Sequence, residues 1–208
     1  MPDMISLEAA QQIVVDAVGP TSDERVPIER AAGRVLAAPA VSAIDLPPFT
    51  SSAMDGFAVR SDDATEGAQL QVVGESAAGN PAAVAVEPGT AVLISTGAVV
   101  PDGADAVVPL ERATQSERAI SVDSAASAGD HIRPRGTDVA NAEVVLPEGT
   151  LVGPAQVGAM AAAGVTEVQC AKRPRVGILV TGSELRAPGT ELAAGDLYES
   201  NGLMLAAQ

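Results

Sequence analysis

The sequence predicts a mixed α+β protein: helical near its start, β-rich and barrel-like in the middle, and opening a parallel α/β sheet at its end. Three observations carry this. Residues 6–20, SLEAAQQIVVDAVGP, place apolar side chains at helical spacing. From about residue 41, short β-like runs alternate with Gly, Pro, Asp and Ser. Residues 176–180 form a nearly continuous apolar run, which suits a central strand buried on both faces.

The elements follow in order. In the first helix Ser6 is the expected cap, Leu7, Ala10, Ile13, Val14 and Ala17 share a face, and Gly19-Pro20 ends it. PIERAAGRVLAA, residues 27–38, reads as a second helical stretch, with Pro27 in its first turn and Gly33 weakening its middle. FAVRSDD, LQVVGES, TAVLISTG, DAVVPLE, AISVD and HIRPRG are the strand candidates of a small barrel or sandwich, and AEVVLPEGTLV continues their character. GPAQVGAMAAAG is a helix with Pro154 in the first turn and Gly164 just past its end. TEVQC is a further strand. Ser200 or Asn201 caps a last helix in YESNGLMLAAQ. A central parallel strand needs neighbours and crossover helices. Their absence after residue 180 leads to the expectation of an N-terminal piece of a longer protein, with a native short form as the alternative.

Composition excludes several function classes. The formal net charge of −15 opposes non-specific nucleic-acid binding and docking on an anionic membrane, both of which need Lys and Arg. An anionic ligand must then be met by local arginines, helix N-termini or a metal ion. A single cysteine, Cys170, excludes an intrachain disulfide, and with a single histidine, His131, it falls short of the roughly four ligands of structural zinc. The start has no signal-peptide pattern, and no run of about 18 apolar residues is present to span a membrane. A cytoplasmic protein is the expectation.

Four stretches have the character of site loops, each with a polar residue beside glycine and next to a strand. In PPFTSSAMDGFAVR, Asp55 precedes Gly56; the expected arrangement packs Met54 inward and projects Asp55, against the alternative of an ordinary Asp-Gly turn. Ser95, Thr96 and Gly97 close an apolar strand, either as hydroxyls around an oxyanion or as a plain strand-end turn. Arg133, Arg135 and Asp138 surround Gly136; the arginines either recognise an oxyanion or offset neighbouring acids. Glu184 stands in TGSELRAPG, at the mouth of the expected sheet or as a capping carboxylate. Carboxylates without His or Cys favour a hard cation such as Mg²⁺, held by one or two carboxylates plus phosphate oxygens. Spacing alone reaches a Mg²⁺-assisted oxyanion site and does not show that the loops converge.

PPFTSSAMDGFAVR, ISTGAVVPDGADAVVPLE, IRPRGTDV and VGILVTGSELRAPG occur in the order, and at spacings like those, of the molybdopterin molybdenumtransferase family, the MoeA type related to the E domain of gephyrin. The resemblance covers residues 5–208. It implies an enzyme that inserts molybdate into adenylylated molybdopterin and releases AMP, with Mg²⁺ as cofactor. It implies that Asp55 and Glu184 are catalytic, that Ser95, Thr96, Arg135 and Asp138 bind substrate, and that Asp55, Asp138 and Glu184 are candidate metal ligands. It implies a linker domain over residues 1–44 and 141–172, an inserted β-rich domain over 45–140, and the beginning of a MogA-like molybdopterin-binding domain over 173–208. Homodimers, and molybdopterin adenylyltransferase as a further partner, follow from the same resemblance. Thr50 stands where many relatives carry Asp. The family's later loops that grip molybdate and pterin are not in the sequence, so the expectation is that these 208 residues alone are inactive. The competing reading is a protein-binding or dimerisation scaffold without turnover.

Overall fold

The computed structural model describes residues 4–208. Its elements are α1 (Leu7–Ala17), β1 (Asp23–Pro27), β2 (Ala40–Val41), β3 (Ser51–Ser52), β4 (Gly56–Val59), β5 (Gln69–Ser76), β6 (Thr90–Ile94), β7 (Ala106–Pro109), β8 (Ala113–Gln115), β9 (Ala119–Val122), β10 (Ile132–Arg133), β11 (Val144–Leu146), α2 (Pro154–Ala162), β12 (Glu167–Ala171), β13 (Leu185–Arg186), β14 (Leu197–Tyr198) and α3 (Asn201–Ala207). Asp23–Ala171 form one compact unit. The described residues up to Ser22, with Lys172–Gln208, form another.

Within Asp23–Ala171 the half-barrel is one six-stranded sheet in the order β7-β4-β6-β5-β9-β8. Only the β5–β6 pair is parallel. Side chains alternate across it with the period of two that a pleated strand imposes. Phe57 and Val59 of β4, Val108 of β7 and Ala91 of β6 pack with Leu70, Ile120 and Val122 on one face. Ala58, Val107, Val92 and Ile94 pack with Val86 and Ala98 on the other. Both faces of β4 and β7 are covered, so every residue of these two strands is buried. That rigidity matters because β4 begins immediately after Asp55.

A second core lies beside the β1–β12 antiparallel pair, where Val26, Leu36, Val152, Met160, Val168 and Cys170 are buried together. The chain leaves this core along β2 and returns along β11, which pair with each other. The half-barrel is the excursion between them.

Residues 27–38 are not a helix. Only one 3₁₀ turn forms, at Ile28–Arg30. Gly33 takes φ +75°, outside the helical region, and Val35 and Leu36 bridge to Leu151 and Cys170. Partners distant in sequence outweigh a local propensity that Gly33 already weakened.

In the other unit, α1 is capped as expected: the Ser6 hydroxyl accepts from the Ala9 N–H at 3.1 Å. None of its residues is buried, and Leu7, Ile13, Val14 and Val15, with Val18 just past its end, are exposed. The expected central strand over residues 176–180 is absent. No strand is recorded there, and Val176 and Leu179 are 79% and 88% exposed. The physical reason is that no described segment pairs with its backbone; the parallel pair that does form is β13 with β14. The last helix is present as α3. Neither Ser200 nor Asn201 caps it with a side chain; the Glu199 carboxylate accepts from the Gly202 N–H at 2.6 Å instead. No helix among the described residues is long and apolar enough to cross a membrane.

Candidate functional site

Three of the four predicted loops are laced together. Residues 46–53 run as the middle member of an irregular three-stranded ribbon. On one side Ser52 accepts from Gly97 N–H at 2.8 Å and donates to Ala98 at 3.0 Å, and Val100 N–H reaches Thr50. On the other side β3 pairs with β10, Ala53 N–H reaches His131, Gly136 N–H reaches Pro47, and Asp138 N–H reaches Leu46. The convergence that spacing could not show is therefore made by backbone hydrogen bonds. The ribbon also orders the loops. Asp55 emerges at the Ser52–Ala53 end, whereas Arg135 and Asp138 lie toward Leu46–Pro47.

At the Asp55 end the turn is built from its buried serine. The Ser52 hydroxyl donates to the Met54 carbonyl at 2.6 Å and accepts from the Met54 N–H at 3.2 Å, a short side-chain turn of the kind serine favours. Met54 is 38% exposed and does not pack inward as expected. Its turn is held by Ser52, not by apolar burial. Gly56 follows because the β7 backbone passes close: a Cβ there would stand 2.2 Å from the Val108 carbonyl oxygen.

Asp55 projects and meets Thr96. Its Oδ1 accepts from the Thr96 N–H at 2.6 Å and from the Thr96 hydroxyl at 3.0 Å, across 41 residues of sequence. Its Oδ2 has no partner among the described residues and is open to solvent. These donors, the N–H first and the hydroxyl second, hold the Asp55 carboxyl below the ordinary aspartate value. Asp55 is thus ionised at neutral pH, an acceptor and a poor proton reservoir. Thr96 spends both its donors on Asp55. Ser95 uses its N–H on the Ser76 carbonyl, and its hydroxyl has no recorded partner among the described residues.

This lowering fixes a pH response. The folded pKa lies below the unfolded one, so the Asp55–Thr96 bond adds stability that is complete above about pH 4 and lost as pH falls through the depressed value. Followed at the Thr96 amide in an acid titration, the midpoint is expected below the free aspartate value of about 3.9. Thr96→Val, which keeps the N–H and deletes the hydroxyl, is expected to move the midpoint part of the way back up. A midpoint at or above the free value would contradict the bond.

At the other end both arginines are paired with acids. Arg133 bonds Asp138 through Nη2. Arg135 Nε donates to Asp45 Oδ2 at 2.6 Å. Asp45 was not legible as a site residue, and yet it organises this loop: its Oδ1 also accepts from the Asn141 N–H at 2.8 Å. The N–H of Asn141 and then Arg135 hold its carboxyl below the ordinary range. The available signal was weak, an aspartate just before Leu-Pro-Pro.

Glu184 belongs to the other compact unit and is exposed there. Its carbonyl accepts from the Leu197 N–H at 2.8 Å beside the β13–β14 pair, and its carboxylate lies over Gly182.

Among the described residues no three His, Cys, Asp or Glu side chains gather in a form that would hold a metal ion. Asp55 and Asp138 share no partner, and Asp138 is already paired with an arginine. Asp55 Oδ2 offers a carboxylate oxygen with no partner among the described residues.

Comparison with known proteins gives the following. The family model described as MoeA N-terminal region (domain I and II) matches residues 5–164. A Mycobacterium tuberculosis protein, molybdopterin molybdenumtransferase 2, is 41% identical over 210 residues, covering 98% of this chain and 52% of that protein. The molybdopterin molybdenumtransferase of Haemophilus influenzae is 36% identical over 200 residues, covering 95% and 50%. The crystal structure of a molybdopterin biosynthesis moeA protein from Pyrococcus horikoshii OT3 superposes with a TM-score of 0.91 at 35% identity, covering 99% of this chain and 56% of that one. The chain spans about half the length of the curated relatives it matches.

Proposed function

The chain belongs to the MoeA family, and from that premise we propose that it serves molybdenum cofactor biosynthesis as part of a molybdopterin molybdenumtransferase. The proposed reaction inserts molybdate into adenylylated molybdopterin and releases AMP. The observation that carries this is the Asp55–Thr96 pair on the rim of the half-barrel: one carboxylate oxygen is saturated by fixed donors and the other is left for a ligand.

A carboxylate whose pKa is held down is unsuited to shuttling a proton near neutral pH, where a general base works best with a pKa close to the working pH. Asp55 is proposed to orient, presenting Oδ2 to a water or to a cation that accompanies the substrate's phosphates. Mg²⁺ enters the proposal only in that form, as a companion of phosphate oxygens, which supply most of its ligands in such sites. Ser95, with its hydroxyl uncommitted, and Arg135 and Asp138, on the neighbouring stretch of ribbon, are proposed to bind substrate, together with Thr96 through its hold on Asp55. Glu184 is proposed as a second catalytic carboxylate, and residues 173–208 as the opening of a MogA-like domain. The linker and inserted domains are proposed over 1–44 with 141–172 and over 45–140.

A homodimer is proposed as the working form, in the cytoplasm, with molybdopterin adenylyltransferase as supplier of the adenylylated substrate. The exposed apolar residues of α1, none of them buried, support association with a second copy, and they also keep the scaffold reading in play.

The test is AMP release from adenylylated molybdopterin with and without molybdate, run on this chain and on the chain continued by the half that its relatives carry. Molybdate-dependent release from the longer protein, with none from the chain alone, is the expected result. No release from either, alongside a tight partner complex, would favour the scaffold.

A further inference from the structure

The loop 133–141 is wrapped around one side chain that no motif singles out. Asp45 takes the Arg135 Nε at 2.6 Å and the Asn141 N–H at 2.8 Å, one on each carboxylate oxygen. Gly136, with φ +72°, packs in ordinary van der Waals contact beside it, where a Cβ would be 3.4 Å from Asp45 Oδ1. Backbone bonds from Gly136 and Asp138 to Pro47 and Leu46 complete the wrap. The Asp45 side chain is 22% exposed, whereas that of Arg135 is 65% exposed. One partner is anchored and the other reaches out.

We infer that Asp45 is a positioning residue: it takes Arg135 through Nε and leaves the two terminal guanidinium nitrogens as an ordered fork for an oxyanion. Those two nitrogens have no partner among the described residues, and a planar fork of this kind matches phosphate in a bidentate manner. The Asp45 charge is spent on two donors, so the pair fixes the fork's direction at the cost of some of its positive field. Arg133 differs. It is turned onto Asp138 through a terminal nitrogen and presents no complete fork. Within this loop the anion-binding role therefore falls to Arg135, and its aim to Asp45. This deepens the reading of the site as one for a phosphate-bearing substrate and rests on the site's being an anion site, though not on the identity of the anion.

The probe is inorganic phosphate, titrated into the 208-residue chain and followed by NMR at the Arg135 Nε–Hε signal and the Gly136–Asp138 amides. In the unmutated chain the Nε–Hε proton is expected to be protected from exchange, and its signal to move with phosphate. Asp45→Asn keeps an acceptor for Asn141 and removes the charge that holds Nε. It is expected to abolish the protection and weaken phosphate binding about three- to five-fold, the scale of a partly exposed charge pair. On an Arg135→Lys background, which keeps the charge and lacks Nε, Asp45→Asn is expected to change nothing further. Unchanged affinity in Asp45→Asn overturns the proposal. So does an equal loss on the Arg135→Lys background, which would mean that Asp45 acts on the loop and not on the fork. Rapid Nε–Hε exchange, or no phosphate response, in the unmutated chain overturns it without any variant. Failure of AMP release in the longer protein, with the Asp45–Arg135 coupling intact, would sink the transferase reading and leave this one standing.

Discussion

Asp55→Asn is expected to lower AMP release by about 100-fold or more in the chain continued to its relatives' length, the scale seen when one fixed polar group at a reacting centre is removed. The reasoning is geometric. Asparagine is nearly isosteric, and its amide oxygen can still accept from the Thr96 N–H and hydroxyl that now hold Oδ1 at 2.6 and 3.0 Å. The turn, braced separately by Ser52, should therefore survive. What changes is the outward atom, where an anionic oxygen becomes an NH₂ group that donates and cannot hold a cation. A loss in kcat with the thermal midpoint unmoved is the expected signature. A loss confined to KM would mean that Asp55 binds substrate and transition state equally. Rates like those of the unmutated protein would remove Asp55 from the chemistry altogether. Thr96→Val provides a graded companion. It leaves the carboxylate in place and takes away one of its two donors, so its effect should fall between the two.

How much of this was legible in the sequence depended on whether the deciding partner was near in the chain. α1 and α2 could be read because caps and apolar spacing lie within one or two turns of each other. The half-barrel strands could be read because Gly, Pro and Asp mark their ends. Residues 27–38 carry helix-compatible composition and yet form one 3₁₀ turn, because Leu36 and Val35 find Cys170 and Leu151 more than a hundred residues away. The apolar run 176–180 states what a strand there would bury, while pairing decides whether a strand exists. The same rule governs the site. Asp55, Thr96, Arg135 and Asp138 were each visible as polar residues beside glycine, but the Asp55–Thr96 bond and the ribbon that aligns the loops are non-local. Asp45 was missed because nothing about an aspartate before Leu-Pro-Pro reveals that Arg135 and Asn141 will close on it. Met54 differs for the reverse reason: a hydrophobic residue in a tight turn reads as core, while the serine two positions earlier already supplies the turn's hydrogen bonds.

Gly56→Ala is expected to be the most damaging small substitution near the site, and the argument is one of space, not of backbone freedom. The β4 and β7 backbones pair at Gly56 and Pro109. An added Cβ would lie 2.2 Å from the Val108 carbonyl oxygen, 2.9 Å from its carbon and 3.0 Å from the Pro109 Cα. All three are main-chain atoms, and they cannot swing aside as the end of a flexible side chain would. Val108 is itself 1% exposed and packed against Phe57 and Ile120, so β7 cannot retreat without opening the core behind it. Overpacking of this kind costs about 3 kcal/mol, and in a chain of this size that lowers the thermal midpoint by about 6–12 °C. Asp55, the preceding residue, would be carried off Thr96 as the strands part, so the Thr96 amide should lose its low-pH titration in the same variant. Gly158→Ala is the control that separates this from a general effect of replacing glycine. Gly158 lies within α2, and nothing stands within 4 Å of a Cβ there. The same added methyl should instead stabilise by about 0.5–1 kcal/mol through helix propensity. Opposite signs at the two positions, with titration lost only at Gly56, would establish that the β7 backbone presses on the base of the Asp55 turn. Equal, small effects at both would show that β4 and β7 can part without cost, and the rigid footing claimed for Asp55 would go with them.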